Sequence, residues 1–524
     1  MGHELSWFRD FSRLFSSPKM NITEYRTQFA AFNSSLALLQ YQQYLGNADR
    51  TVAQLRSDNS DLFSAGALQD LQRSIDELRS AESTEGAART TLLGAARLEH
   101  LELRLAELNE ELDSCETSAR LTPNETTSFA TAIDSLLATE SNKEQRDERF
   151  KRFLDLIASC NDLRLTRVQL LQEEARRLGF ESYSDLIGSS FRINLEQVAR
   201  AAETLLERTE PLQRAAFARL TPQLLFAAKA QPSFADLAFL QHSSWLDHFF
   251  ASHNWSKIYA ETMAPLGIRV DKQPNLQIKW AETSRNRQAL TAAVDPPRDV
   301  RLLLAPPQSV TGFAGALHAA GLAQHFFWNS KDLAANHPEF IYCADRATSE
   351  SSGYLLEMLM LEPRWLEHFL KPVSNTEIGE LSRDLAAVLL LRLRRQAAQS
   401  LFALTLFQPV PPSVEQSQAA FVDLHERATG FHFQRQLFLL NSAALFSCVN
   451  DLRAFVFAAG LREHLRHRYG HRWWTTRKAG DELIDLWNTA SRYPVEELAG
   501  LIGFEFSFDL IPDLLSNFLI EAKN

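Results

Sequence analysis

The sequence predicts a mainly α-helical protein, on three observations. Leu, Ala, Glu, Arg and Gln recur throughout its 524 residues, while Gly and Pro number only 19 each. Apolar residues return at alternating steps of three and four, as in Leu98, Leu101, Leu105, Leu108 and Leu112. Strand-like texture is confined to one stretch, residues 273–308. At 59.4 kDa the chain exceeds one compact core, so two or three packed lobes are expected.

Taken in order, the first clear helix begins near Asn21. Asn21 can cap it, Glu24 stands three residues on as in a capping box, and Gly46 follows its last apolar residue, Leu45. The leucine series from Leu98 to Leu112 has two readings, a coiled-coil dimer seam or a helical hairpin packed on its own chain. Its heptads stop after about two, which favours the hairpin. Charged helices run from about Asn142 to Gly179 and from Asn194 to Ala228, with a break at Gly179 and a restart capped by Ser182 or Ser184. Leu276-Gln-Ile-Lys-Trp280 alternates, and Val300-Arg-Leu-Leu-Leu304 is a short apolar run closed by Pro306-Pro307. At least two strands therefore interrupt the helices. An apolar helix follows from about Val310 to Trp328, then a loop through His337-Pro338 and a helix over 349–361 ahead of Pro363. Gln408-Pro-Val-Pro-Pro412 marks another loop, and helices with stops at Gly430, Gly470 and Gly503 run to the end. A division at about residue 140 follows, with an N-terminal helical region over 1–140 and the remainder over 141–524.

Composition excludes some functions. With 54 Lys and Arg against 65 Asp and Glu, the formal charge is −11, which argues against a general nucleic-acid binder. The basic run Arg462–Arg472 reads as a solvated helix end, Trp473 and Trp474 as packing anchors, and His242, His248 and His432 lack ligand spacing. No apolar run is long enough to span a bilayer. Met1–Pro18 lacks the pattern of a secretory leader; Gly2 and Ser6 fit an N-myristoylation pattern, but an arm docking on the body is the preferred reading. Cys115, Cys160, Cys343 and Cys448 lie far apart with no C-x-x-C pair, so neither a disulfide framework nor a cysteine metal site is expected, and a cytoplasmic location fits.

The chemically informative stretch is His318-Ala-Ala-Gly-Leu-Ala-Gln-His325, on a helix that follows the strands, with Glu350 on a later helix 32 residues on. His at i and i+4 with Glu at i+1, completed by a Glu from a neighbouring helix, is how zinc peptidases hold metal and activate water. Here the chain resembles the thimet oligopeptidase and oligoendopeptidase F-like zinc metallopeptidases, and more distantly their angiotensin-converting-enzyme-like cousins. Their motif reads His-Glu-x-Gly-His-Ala-x-His. Glu350-Ser-Ser-Gly-Tyr-Leu-Leu-Glu357 through Glu362-Pro363, the Leu178–Tyr183 segment, and Leu452-Arg-Ala-Phe455 through Asp485-Leu-Trp487 extend the likeness over most of the chain after about residue 140. The resemblance implies a two-lobed helical fold with a deep central cleft and a small sheet beside the site.

The departures are chemical. His318 and Glu350 stand at the first and third ligand positions, but Leu322 occupies the second and Ala319 the position of the base. Where the family tends to place a carbonyl-polarising tyrosine, this chain reads Phe446-Ser-Cys-Val-Asn-Asp451. Catalytic zinc takes three protein ligands plus water, and two remain. A second histidine, His325, lies about 10 Å along the helix from His318, too far to share one ion with bonds of about 2 Å. Losing a general base removes roughly 10²–10⁴ in rate, about 3–5 kcal/mol of barrier. The expectation is a catalytically inactive homologue with no cofactor, in which His318 and Glu350 hydrogen-bond each other as a relic pair and Leu322 fills the metal's place. His325, Asp345, Glu357 and Arg453 are candidate cleft residues. Such a cleft would receive a peptide or a protein partner's tail, pairing with an exposed strand edge near Val300–Leu304. Two other readings compete: an active zinc oligopeptidase recruiting His325, Asp345 or Glu357 as substitute ligands, and a purely structural or interaction protein.

Overall fold

The computed structural model describes residues 20–78, 80, 83–118, 140–224, 232–251, 253–280, 289–307, 309–370, 373–442 and 445–520. The N-terminal segment Met1–Pro18, with its Gly2 and Ser6, lies outside these. The described chain is mainly helical, with one three-stranded sheet.

Helix α1 (Ile22–Leu45) starts where Asn21 Oδ1 accepts from the backbone N–H of Thr23 and Glu24, and stops at Gly46 in the left-handed conformation, φ 73°. Its Tyr25, Phe29 and Phe32 pack with Leu62, Phe63 and Leu93 in an apolar cluster separate from the main core. Two helices, α2 (Thr84–Arg104) and α3 (Ala106–Ser118), carry the leucine series with a break at Leu105. Leu101, Leu105 and Leu112 are buried within the chain's own fold, so the series is no dimer seam, and α2 packs beside the helix over Ala65–Asp76. The charged segment after residue 142 is two helices, α4 (Lys143–Ser159) and α5 (Asn161–Arg177), and Ser182 caps the next.

One expectation is overturned here: Cys115, on α3, is disulfide-bonded to Cys160 at the α4–α5 junction. Spacing of 45 residues hides the pair in the sequence. Packing of α3 on α5 brings the two together, and Arg164 reaches Glu116 at 2.8 Å alongside. Cys343 and Cys448 remain free. The cysteines therefore supply no argument for a reducing compartment.

The sheet runs β1 (Leu276–Trp280), β2 (Leu290–Asp295) and β3 (Asp299–Leu304), in the spatial order β1-β3-β2. Leu276 opposes Val300 in the parallel β1–β3 pair, and Leu290 opposes Leu303 in the antiparallel β2–β3 pair. Thus Val300–Leu304 is the central strand. Both of its sides are hydrogen-bonded, and it cannot receive a peptide edge to edge, contrary to the expectation from sequence; β2, composed of small residues, had not marked itself as a strand.

Three further helices frame the site. Helix α6 (Val310–Phe327) opens at Ser309, whose Oγ accepts from Gly312 N–H, and packs on the sheet and on α7 (Arg346–Glu357). Helix α8 (Asn375–Leu406) is the longest at 32 residues, begun by a full capping box between Ser374 and Glu377. It packs against the helices over Leu195–Arg208, Glu210–Leu220, Val414–Thr429 and Leu510–Leu519, and against α9 (Ser447–Tyr469). Trp473 and Trp474 are buried. The basic run is solvated only in part, because Arg462 is buried with Nε 2.7 Å from Glu362.

Candidate functional site

Two glycines bring α6 and α7 together. A Cβ on Gly321 would lie 2.2 Å from the carbonyl oxygen of Ser352, and one on Gly353 would lie 2.5 Å from Leu322 Cδ1 and 2.6 Å from His318 Nε2. Gly321 meets backbone and tolerates no side chain, so the helices cross almost backbone to backbone there, while a side chain at Gly353 would have to displace Leu322 and His318. Trp487 Nε1 donates to Ser352 Oγ at 2.9 Å and fixes the far side of the crossing.

That crossing places His318 between two carboxylates of α7. Its Nε2 lies 2.9 Å from Glu350 Oε2 and its Nδ1 lies 3.1 Å from Glu357 Oε2. Glu350 and Glu357 are seven residues apart, hence on one face of the helix, and reach the ring from opposite ends. Each carboxylate has a second cation. Arg346 Nη2 donates to Glu350 at 2.6 Å, and Arg392 Nη2, from α8, donates to Glu357 at 2.6 Å. The Tyr354 ring stands edge-on to the imidazole with centroids 4.7 Å apart.

The electrostatics follow from this bracketing. Burial alone would lower the pKa of His318, but hydrogen bonds to Glu350 and Glu357 and their charges raise it to about 9. Burial would raise Glu350, yet His318 and Arg346 bring it down to about 2. For Glu357 burial is likewise outweighed, by Arg392 and His318, again to about 2. At neutral pH the ring is therefore an imidazolium donating from both nitrogens. Asp451, on α9, behaves oppositely: burial and the charge of Glu350 push it up to about 6.

Of the residues singled out from sequence, His318, Glu350 and Glu357 come together. Ala319 is buried, and its carbonyl accepts from Thr291 Oγ1 at 2.6 Å, which ties this turn of α6 to β2. Leu322 lies against Gly353 beside the ring. His325 does not join the network: it is 1% exposed, burial holds it neutral with a pKa of about 4, and its ring packs edge-on against Phe326. Asp345 and Arg453 form a separate buried pair at 2.7 Å, with Arg453 also held by both oxygens of Glu496 at 2.7 Å. Asp345 caps α7 through Ala347 N–H. These two residues build the scaffold.

The residues present do not fit a zinc ion. Both nitrogens of His318 face carboxylates, Leu322 has no lone pair, and His325 makes no hydrogen bond to His318, Glu350 or Glu357. Among the described residues no group of three or more His, Cys, Asp or Glu side chains is arranged to hold a metal. Sequence reasoning missed Arg346, Arg392, Tyr354 and Asp451. Arg346 had a signal, because it stands four residues before Glu350 on the same helix; the other cations and acids meet only through tertiary packing.

Compared with models of known protein families, the chain matches none, and no curated protein matches it.

Proposed function

We propose that this protein is a non-hydrolytic relative of the zinc oligopeptidases, two helical lobes around a central cleft, that binds a peptide or a partner's tail without cutting it. The observation that carries this reading is the His318 ring clamped at both nitrogens by Glu350 and Glu357. A metal ligand must present a lone pair, so zinc would have to displace a proton that two carboxylates hold on His318. With Leu322 offering no lone pair and Ala319 unable to accept a proton, the second ligand and the base of the family mechanism are both missing. Binding is supported by a half-open cavity of about 100 Å³ whose wall includes Tyr354, Glu357 and Arg392, members of the same network.

The test combines metal analysis of protein purified without chelators with turnover of a quenched fluorescent peptide library. The expected result is substoichiometric zinc, no chelator-sensitive cleavage, and a rise in melting temperature with the peptides that bind. Stoichiometric zinc with chelator-sensitive turnover would overturn the proposal. In the Ala319→Glu, Leu322→His double variant, zinc binding should appear; unchanged metal content would break the correspondence with the family motif.

A further inference from the structure

The disulfide between Cys115 and Cys160 lies at a thinly packed end of the fold. Helix α3 starts just after Leu105, which is buried in the main core, yet of its own side chains Leu112 is the one that is buried, with Leu108 partly so. Towards its C-terminal end α3 is held on α5 by Glu116, whose Oε1 accepts from Arg164 Nη2 at 2.8 Å and Nε at 3.2 Å, and by the disulfide. The rest of its surface is acidic, carrying Glu107, Glu110, Glu111 and Asp113 and neither Lys nor Arg.

The two sulfurs differ. Cys115 is half-buried, and the contact of its Sγ with the Ser159 carbonyl oxygen at 4.0 Å is exposed. Cys160 is fully buried and is the N-cap residue of α5, a helix of 17 residues. The Ile157 carbonyl accepts from Cys160 N–H at 3.2 Å and from Arg164 Nη1 at 2.9 Å, which brings a guanidinium to the same turn. A thiolate formed at Cys160 is therefore stabilised by the helix N-terminus, and by Arg164 once Glu116 leaves with α3. Cys115 is the sulfur that a thiol in solution can reach.

We propose that Cys115–Cys160 is a reducible clasp, which a dithiol opens from the Cys115 side so that α3 swings off α5 about Leu105. A thiolate of the dithiol attacks Cys115 Sγ, the Cys115–Cys160 bond breaks, and its electron pair leaves on Cys160 as thiolate. The second sulfur of the dithiol then displaces Cys115 and closes the reductant's own disulfide. Two electrons and two protons pass to the protein. Arg164 keeps its hydrogen bonds to the Ile157 carbonyl and to Asn161 Oδ1, both at 2.9 Å, so its guanidinium stays tied to α5 when Glu116 departs. The clasp works whether or not a peptide binds near His318.

The test uses the full chain under native conditions. Air-oxidised protein should show two thiols on denaturation, Cys343 and Cys448, and dithiothreitol should add two more with a mass gain of two hydrogens. With 2-mercaptoethanol in place of the dithiol and an acid quench, the trapped mixed disulfide should sit on Cys115. On reduction, hydrogen exchange at the amides of residues 106–118 should speed up about tenfold or more beyond any change in α6 and α8, and reoxidation should reverse it. Cys115→Ser should reproduce that pattern without reductant; the reduced wild type decides the matter if this variant fails to fold. A speed-up in α3 no greater than in α6 and α8 would make the bond a plain staple and overturn the proposal. So would a mixed disulfide on Cys160, or a bond that dithiothreitol leaves intact in the folded protein.

Discussion

Removing the charge at His318 should cost stability in a way that depends on pH. Its pKa rises from an ordinary 6.5 to about 9 in the folded protein, through hydrogen bonds and charge from Glu350 and Glu357 that outweigh the opposing effect of burial. At 1.36 kcal/mol per unit this corresponds to about 3 kcal/mol. A group whose pKa is raised on folding binds its proton more tightly in the native state. Its contribution is therefore complete below pH 6.5 and lost as pH climbs through 9. The low values of Glu350 and Glu357 describe the same contacts from the carboxylate side. Their share is present above about 4.5 and fades as pH falls towards 2. The perturbation is His318→Gln, which keeps one amide donor and loses the charge. Urea unfolding of both proteins at pH 6 and pH 9.5 gives the assay, and differencing the two proteins cancels the titrating groups that do not interact with His318. The variant should be less stable by about 3 kcal/mol at pH 6 and by far less at pH 9.5. A gap of equal size at both values, or a His318 resonance titrating near 6.5, would refute the imidazolium clamp and with it the case against metal.

Two further outcomes follow from the packing. Gly321→Ala would force a methyl to within 2.2 Å of a backbone carbonyl, where no side chain can yield, so denaturant unfolding should show a loss of about 3 kcal/mol or more; an unchanged midpoint would mean the helices do not cross as described. Cys115→Ser removes a bond that spans 45 residues, for which chain entropy gives about 4 kcal/mol, and reductant should lower the wild-type melting temperature to that of the variant.

Much of this fold could be read from the sequence where the signal is local. Asn21 with Gly46, the Ser182 cap and the positive-φ Gly430 act through neighbouring backbone atoms, and the strand and helix starts at Leu276 and Val310 come from short-range pattern. The pairing of His318 with Glu350 was also legible, because both positions matched a motif. What escaped depends on distance in the chain. Leu290–Asp295 reads Leu-Thr-Ala-Ala-Val-Asp, whose two Ala and one Asp dilute the strand preference of Thr and Val, and pairing with β3 makes it a strand. Cys115 and Cys160 sit on helices whose meeting no spacing rule encodes. Arg392 reaches Glu357 from 35 residues further on, and Asp451, which feels the charge of Glu350, lies on a helix further still, so the charge balance of the site is a property of packing.

The long helix Asn375–Leu406 has a consequence for how a ligand would be received. At 1.5 Å per residue its 32 residues span about 48 Å, and it touches helices from several parts of the chain. Arg392 projects from this keel rather than from a loop. Its guanidinium can pivot about side-chain bonds, but its backbone cannot travel without unpacking its neighbours. A ligand docking on Arg392 would therefore meet a backbone already fixed, and little ordering entropy would be spent on association.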